Sequence, residues 1–324
     1  MKTLTVICPV YNEEAIIEKF YRELKKVLGS LDKQYIAGIL FVVDRGRDGT
    51  LDILKGIAGE DRAVQILALS SRFGHQMSLL AGLDHSDADA VIMMDSDLQH
   101  PPDLIPRMTA LYEQGYDIVY TLRESSAETS WKQRLGSRLF YRLINRISQV
   151  PVVENAADFR LISRRVAAIF QTKIRERNQF MRGLFSWVGF RSIGIPFRVG
   201  IRPGGRSKYS LRKRMQLAVH GIVSFSKRPL QAAIFLGLLF AALGLVFALV
   251  TFVQYFLYDF LPSGWTTLAI LISVFGGIQL IFLGIIGEYI GAIFDEVKAR
   301  PHYIVEEKWN FDEPANDSGP RAKP

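Results

Sequence analysis

Along the first third of the chain, short apolar runs alternate with stretches whose apolar positions recur at helical spacing. Leu4–Pro9, Ile36–Asp44, Val64–Leu69, Ala90–Asp95 and Asp117–Arg123 are rich in Val, Ile and Leu and predict buried strands. Between them, helices are expected near Glu13–Leu28, Leu51–Ala58, Gln76–His85 and Pro102–Glu113. This alternation predicts an α/β fold, a mainly parallel Rossmann-like sheet with helices on both faces. Ligands in such sheets bind outside the carboxyl ends of the strands. Three of the runs end at polar clusters: Tyr11-Asn12-Glu13, Asp44, and Asp95-Ser96-Asp97.

Beyond Trp131 the pattern loosens. Lys132–Ile147 and Gln179–Trp187 read as helical, Asp158–Ile162 and Ser192–Val199 as extended. A Gly- and Arg-rich loop at Ile201–Tyr209 leads into a basic amphipathic stretch, Ser210–Phe225. Two long apolar segments follow, Leu230–Tyr258 and Thr266–Ile293, each longer than the ~20 residues that cross ~30 Å of hydrocarbon. Lys208, Arg212, Lys213, Arg214, Lys227 and Arg228 precede the first, Lys298 and Arg300 follow the second, and Asp259–Gly264 between them has neither Lys nor Arg. The positive-inside rule then predicts a hairpin in the cytoplasmic membrane, with both termini and the first domain in the cytoplasm. Gln279 within the second segment is expected to hydrogen-bond between helices, and Glu288 to lie near the inner interface. The expected divisions are a catalytic domain over 1–205, a juxtamembrane segment over 206–229, two spans within 230–293 and a cytoplasmic tail over 294–324, polar and unstructured from Asp312.

Composition narrows the partners. A hydrophobic content of 49% across 324 residues agrees with membrane segments, and a net charge of +8 calls for an anionic partner. Because the basic residues gather beside the apolar segments, a lipid or phosphorylated substrate is expected, and nucleic acid is not. The lone Cys8 excludes an internal disulfide and reads as a core residue. The apolar stretch Leu4–Val10 is too short for a signal peptide.

Asp95 and Asp97, one residue apart at a strand end, suit a hard divalent cation, Mg2+ or Mn2+, with Gln99 placed to add a carbonyl oxygen. Such an ion offsets the charge of a departing diphosphate. In the Pro9-to-Glu14 turn, Asn12 and the glutamates suit a helix start, while Tyr11 offers a flat face and Glu13 an acceptor to a base and ribose. His75, His85 and His100 lack the spacing of a zinc site.

Pro9-Val10-Tyr11-Asn12-Glu13-Glu14, Asp44, Asp95-Ser96-Asp97-Leu98-Gln99, Asp158-Phe159-Arg160-Leu161 and Arg202 through Tyr209 together resemble glycosyltransferase family 2 with the GT-A fold. Within it, the chain is similar to the polyprenyl-phosphate glycosyltransferases, the dolichyl-phosphate mannose synthases and especially the bactoprenol glucosyltransferases, over residues 1 to about 310. The resemblance implies inverting transfer of a hexose, glucose from UDP-glucose, to undecaprenyl or another polyprenyl phosphate. It implies nucleotide-sugar contacts at Pro9, Tyr11, Asn12, Glu13, Asp44 and Ser96, and a metal at Asp95, Asp97 and Gln99. Arg123, Arg138, Arg202 and Lys208 would hold the donor diphosphate or the lipid phosphate. Asp158 would act as the catalytic base or orient acceptor and sugar, since a lipid monophosphate is already ionised near neutral pH (second pKa ~6). One departure is Arg45, where the family usually has a second aspartate in a turn one residue longer. Two other readings compete. A processive polysaccharide synthase needs a channel that one hairpin encloses only as a homo-oligomer; a non-catalytic nucleotide-binding membrane scaffold would have kept the fold alone.

Overall fold

The computed structural model describes residues 1–124, 153, 155–177, 181–198, 228–257 and 264–311. The described chain begins with β1 (Lys2–Val10), α1 (Ile17–Gly29), β2 (Tyr35–Val43), α2 (Thr50–Glu60), β3 (Val64–Leu69), α3 (His75–Asp84) and β4 (Ala90–Met93). A short 3-10 turn, Pro102–Leu104, opens α4 (Ile105–Glu113), and β5 (Ile118–Arg123) follows. Then come β6 (Ala156–Ser163), α5 (Arg164–Thr172), α6 (Met181–Trp187) and β7 (Ser192–Phe197). Two long helices, α7 (Arg228–Leu257) and α8 (Trp265–Lys298), precede a final strand, β8 (Val305–Trp309).

The eight strands form one sheet in the order β7-β5-β6-β4-β1-β2-β3-β8. β1 pairs in parallel with both β2 and β4, and β2 with β3, so the chain reverses its winding between β1 and β4. Strands at the centre are buried on both faces, which is why they read as continuous Val/Ile/Leu runs. Helices cover the two faces. Phe20 of α1 meets Phe41 of β2 edge-on at 6.3 Å on one of them. On the other, α3 lies so close to β1 that a Cβ on Gly82 would stand 2.3 Å from Cγ2 of Ile7. Cys8 is fully buried, as a core residue should be.

Two strands run against the rest. β6 inserts antiparallel between β4 and β5, so β5 does not neighbour β4 as the chain order suggests. β8 pairs antiparallel with β3, Trp309 opposite Ile66. Part of the segment expected as a cytoplasmic tail thus joins the sheet. Asn310 donates from its side chain to the carbonyls of Ala58 and Val64 at 2.7 and 2.8 Å, and Tyr303 donates to Asp84 at 2.8 Å.

α7 and α8 belong to a second compact unit. Leu230–Gln254 and Ile270–Lys298 are long and apolar enough to cross a membrane, with mean hydropathies of 2.8 and 2.3. At 1.5 Å per residue the shorter extends about 37 Å. Small residues of α7, Gly237, Ala241 and Gly244, line a crevice shared with Phe275 and Gln279 of α8, and Phe240 meets Phe275 edge-on. Small residues of this kind let apolar helices approach closely. The helix expected at Lys132–Ile147, the Ile201–Tyr209 loop and the Ser210–Phe225 stretch lie outside the described residues.

Candidate active site

The polar clusters seen in the sequence meet at one end of the sheet. Parallel pairing matches Val10 with Val43 and Ile7 with Met93, which brings the ends of β1, β2 and β4 side by side. Ser96 ties two of them together: its buried hydroxyl donates to the Pro9 carbonyl at 3.0 Å.

After β1 the chain turns at Asn12, whose φ of 54° is left-handed. Asn12 was expected to start a helix, but α1 begins only at Ile17, and Oδ1 of Asn12 instead accepts from the Arg47 amide at 2.9 Å. This carboxamide so crowds the Asp44–Thr50 turn that a Cβ on Gly46 would lie 2.4 Å from it. Further links fix the same turn: the Glu13 amide donates to the Thr50 hydroxyl, the Glu14 amide to Asp48, and the Gly49 amide to Glu14. Tyr11 carries the Arg72 guanidinium 4.1 Å from its ring centre, so its flat face is already stacked by a cation.

Asp44 is buried, and its two oxygens accept from the Phe73 and Gly74 amides at 2.7 and 2.9 Å. It thereby holds the turn into α3, and with it His75. Asn12, Asp44 and Thr50 border a cavity of about 330 Å3 beyond the ends of β2 and β3.

Asp95 sits just beyond β4, between two histidines. His75 Nε2 is 2.6 Å from one of its oxygens, and His100 Nδ1 is 3.6 Å from the other. The Asp95 amide donates to His100 Nδ1, which fixes the proton of that ring on Nε2. Burial lowers the His100 pKa, so the ring is neutral, stacked on Phe159 at 5.3 Å. For His75, burial acts downward but the hydrogen bond and charge of Asp95 outweigh it, and its pKa rises. Burial would raise the Asp95 pKa; the hydrogen bond and charge of His75 reverse that, and it stays ionised. Asp97 accepts from the Gln99 amide at 3.1 Å around Leu98, which is left-handed at φ 61°. A bulky residue in that region is strained, and such strain gathers at functional sites.

These donors suit a divalent cation. Among the described residues no three His, Cys, Asp or Glu converge as a closed cage. Mg2+ needs none, because one or two carboxylates and substrate phosphates complete its shell. Asp95 and Asp97 are the carboxylates that could hold such an ion, with Gln99 next to them in the same turn. His75 and His100 contact Asp95, and His85 bonds the Ala81 carbonyl.

Asp158 lies on β6, where strand alternation puts Arg160 on its own face and Phe159 in the opposite core. Arg182 of α6 grips both Asp158 oxygens, at 2.9 and 2.7 Å, and Arg160 stands 3.6 Å away. Burial would raise the Asp158 pKa, yet the two guanidiniums hold it far below the usual carboxylate range. So weak a base is better suited to orienting than to taking a proton. Burial brings Arg160 down to about 10, against the opposing pull of Asp158; it stays charged, over the Phe185 ring at 4.4 Å. Arg182 and His75 were not singled out from sequence as site residues. The alternation Asp158-Phe159-Arg160 was visible, but nothing local marks Arg182. Arg123 ends β5 with its side chain exposed; Arg138, Arg202 and Lys208 lie outside the described residues.

Residues 5–170 match the family described as glycosyl transferase family 2. The chain is 36% identical to the glycosyltransferase YkcC of Bacillus subtilis over 309 residues, 95% of this chain and 94% of that one. It is also 36% identical to the SfII prophage-derived bactoprenol glucosyl transferase of Shigella flexneri, covering 94% of this chain and 97% of that one. A mannosyltransferase of Pyrobaculum calidifontis, solved with GDP-Man and Mn2+, shares the fold at a TM-score of 0.50 and 16% identity, over 92% of this chain and 88% of that one. With a GT-A-like sheet, an acidic pair at its switch point and such relatives along nearly its whole length, the chain belongs to glycosyltransferase family 2.

Proposed function

We propose that the protein transfers a hexose, glucose from UDP-glucose, to undecaprenyl or another polyprenyl phosphate at the cytoplasmic face of the membrane, with inversion. The observation that carries this reading is the Asp95–Asp97 pair at the sheet's switch point in a chain so similar to bactoprenol glucosyl transferases. α7 and α8 would anchor it in the bilayer that holds the acceptor.

The donor nucleoside would lie beside Tyr11, Asn12 and Asp44, with its diphosphate toward Asp95 and Asp97. Mg2+ or Mn2+, held by Asp95, Asp97 and Gln99, would neutralise charge on the leaving nucleoside diphosphate. His75 keeps Asp95 ionised and aimed. The acceptor arrives as an oxyanion. Its oxygen bonds to the anomeric carbon as the bond to the diphosphate breaks on the opposite face, and no proton need be removed. Asp158 fixes the Arg182 guanidinium, which would meet the acceptor phosphate or a sugar hydroxyl. Arg123, Arg138, Arg202 and Lys208 would share the phosphate charge.

The test is transfer by the purified chain to undecaprenyl phosphate from a panel of labelled nucleotide sugars, with and without EDTA. Transfer from UDP-glucose that EDTA abolishes is expected. Undiminished transfer in EDTA would overturn the account of the leaving group, and no transfer from any donor would overturn the enzyme reading.

A further inference from the structure

The cavity beyond β2 and β3 has a wall that belongs to none of the elements expected to form the site. Glu306 and Glu307 of β8 line it, opposite Arg45 and Lys55. Neighbouring residues of a regular strand face opposite sides of a sheet, so two in succession should not border one cavity. The pairing explains it. Ala68 is matched with Glu307 but Leu69 with Val305, leaving Glu306 as an extra residue in a β-bulge. Bulges re-aim side chains and are common beside active sites.

We propose that β8 forms part of the donor site, with Glu306 and Glu307 accepting hydrogen bonds from the hydroxyl and N–H groups of the donor's nucleoside. This rests on the reading that the chain uses a nucleotide sugar. The cavity is bordered by five carboxylates and two cations, so it repels a phosphate and favours a neutral, donor-rich group. Its volume of about 330 Å3 lies at the small end of the ~300–1,000 Å3 typical of ligand pockets. Asp44 is already engaged with the Phe73 and Gly74 amides, and Asp48 with Thr50 and the Glu14 amide. The two glutamates are instead met by long cationic side chains. Arg45 stands 3.7 Å from Glu306 while donating to the Ser70 carbonyl, and Lys55 stands 3.2 Å from Glu307 and 4.0 Å over the Trp309 ring. Exposed pairs of this sort are worth little and yield readily to a ligand. The end of β8 and the residue after it serve the fold, since Trp309 packs on the core and Asn310 bonds α2 and β3. Glu306 and Glu307 are about half exposed and carry no such duty.

The experiment is calorimetric titration of the full chain in detergent and Mn2+ with UDP and, separately, with pyrophosphate. Glu306→Ala, Glu307→Ala and the double variant should weaken UDP binding, the double by about tenfold for two lost hydrogen bonds. Pyrophosphate binding should stay as in the parent chain. A double variant that binds UDP as tightly as the parent would overturn the proposal and leave the carboxylates as charges that merely shield a sheet edge. An equal loss for UDP and pyrophosphate would overturn it too, since the effect would not be on the nucleoside. Should the double variant melt early, Glu306→Ala alone, at the bulged residue outside the paired register, takes its place under the same criteria with a loss of about threefold expected for one hydrogen bond. A parent chain that binds no UDP would sink the donor reading itself, a result distinct from either.

Discussion

Arg182 holds both carboxylate oxygens of Asp158, although the two residues come from different elements, α6 and β6. The bidentate contact holds the Asp158 pKa down, and of its two expected roles, base or orienter of acceptor and sugar, it favours the second. The sign of its effect on stability follows. A carboxyl whose folded pKa is depressed stabilises the fold fully above its unfolded pKa of about 3.9, and loses that contribution as pH falls toward the folded value. Arg182→Met should lower the melting temperature at neutral pH by about 2–4 °C, as expected for ~1 kcal/mol in a domain of this size. The gap between variant and parent should narrow below about pH 4. Thermal melts across pH in detergent check both; a gap that widens in acid would contradict the pairing.

Asp158 also bears on the pH dependence of transfer. Because it stays charged, its ionisation should be absent from the rate profile between about pH 5 and 8, a range where the lipid phosphate titrates. Asp158→Asn should lower kcat across that whole range without moving the profile. An acid limb that vanishes in the variant would restore Asp158 as the base.

For Asp97, two substitutions separate charge from geometry. Asp97→Asn can keep the turn by accepting from the Gln99 amide, but it forfeits the charge that suits a divalent ion. Transfer should fall by about a hundredfold or more, the scale on which a key electrostatic group contributes. The melting temperature should stay near the parent's. Mn2+-dependent UDP binding measured on the same sample should weaken as well.

Gly82 tests the packing beneath the site. Gly82→Ala puts a methyl where 2.3 Å separates it from Ile7, so α3 must move away from β1. Overpacking of this kind costs about 1–3 kcal/mol. Transfer activity should fall with stability, because α3 begins at His75. Ile7→Val removes the δ carbon but keeps Cγ2, the closer contact, so it should rescue little; Ile7→Ala should rescue more, as melts of the double variants would reveal.

Asn310 tests whether β8 is held as described. Asn310→Ala leaves the Ala58 and Val64 carbonyls without their side-chain donor, at a cost of about 1–3 kcal/mol. Hydrogen exchange should quicken over β8 and the facing edge of β3. Unchanged protection there would mean that the latch contributes nothing.

The sequence alone determined the strand-helix alternation, the acidic pair at the end of a buried strand and the two long apolar segments. Each is written in neighbouring residues, as a hydrophobic period or a short motif. Only the tertiary structure decided that β6 inserts in reverse beside β4, and that Val305–Trp309 pairs with β3 across more than two hundred residues. A five-residue strand with three charges has the composition of a solvated tail. What makes it a strand is the open edge of β3, which no local pattern announces. The same holds for Asp158 and Arg182, and for Asp44, engaged by the amides of the turn into α3. Their partners are set by how the chain closes in space, and pairings between distant segments depend on the packing of the whole sheet rather than on the residues to either side.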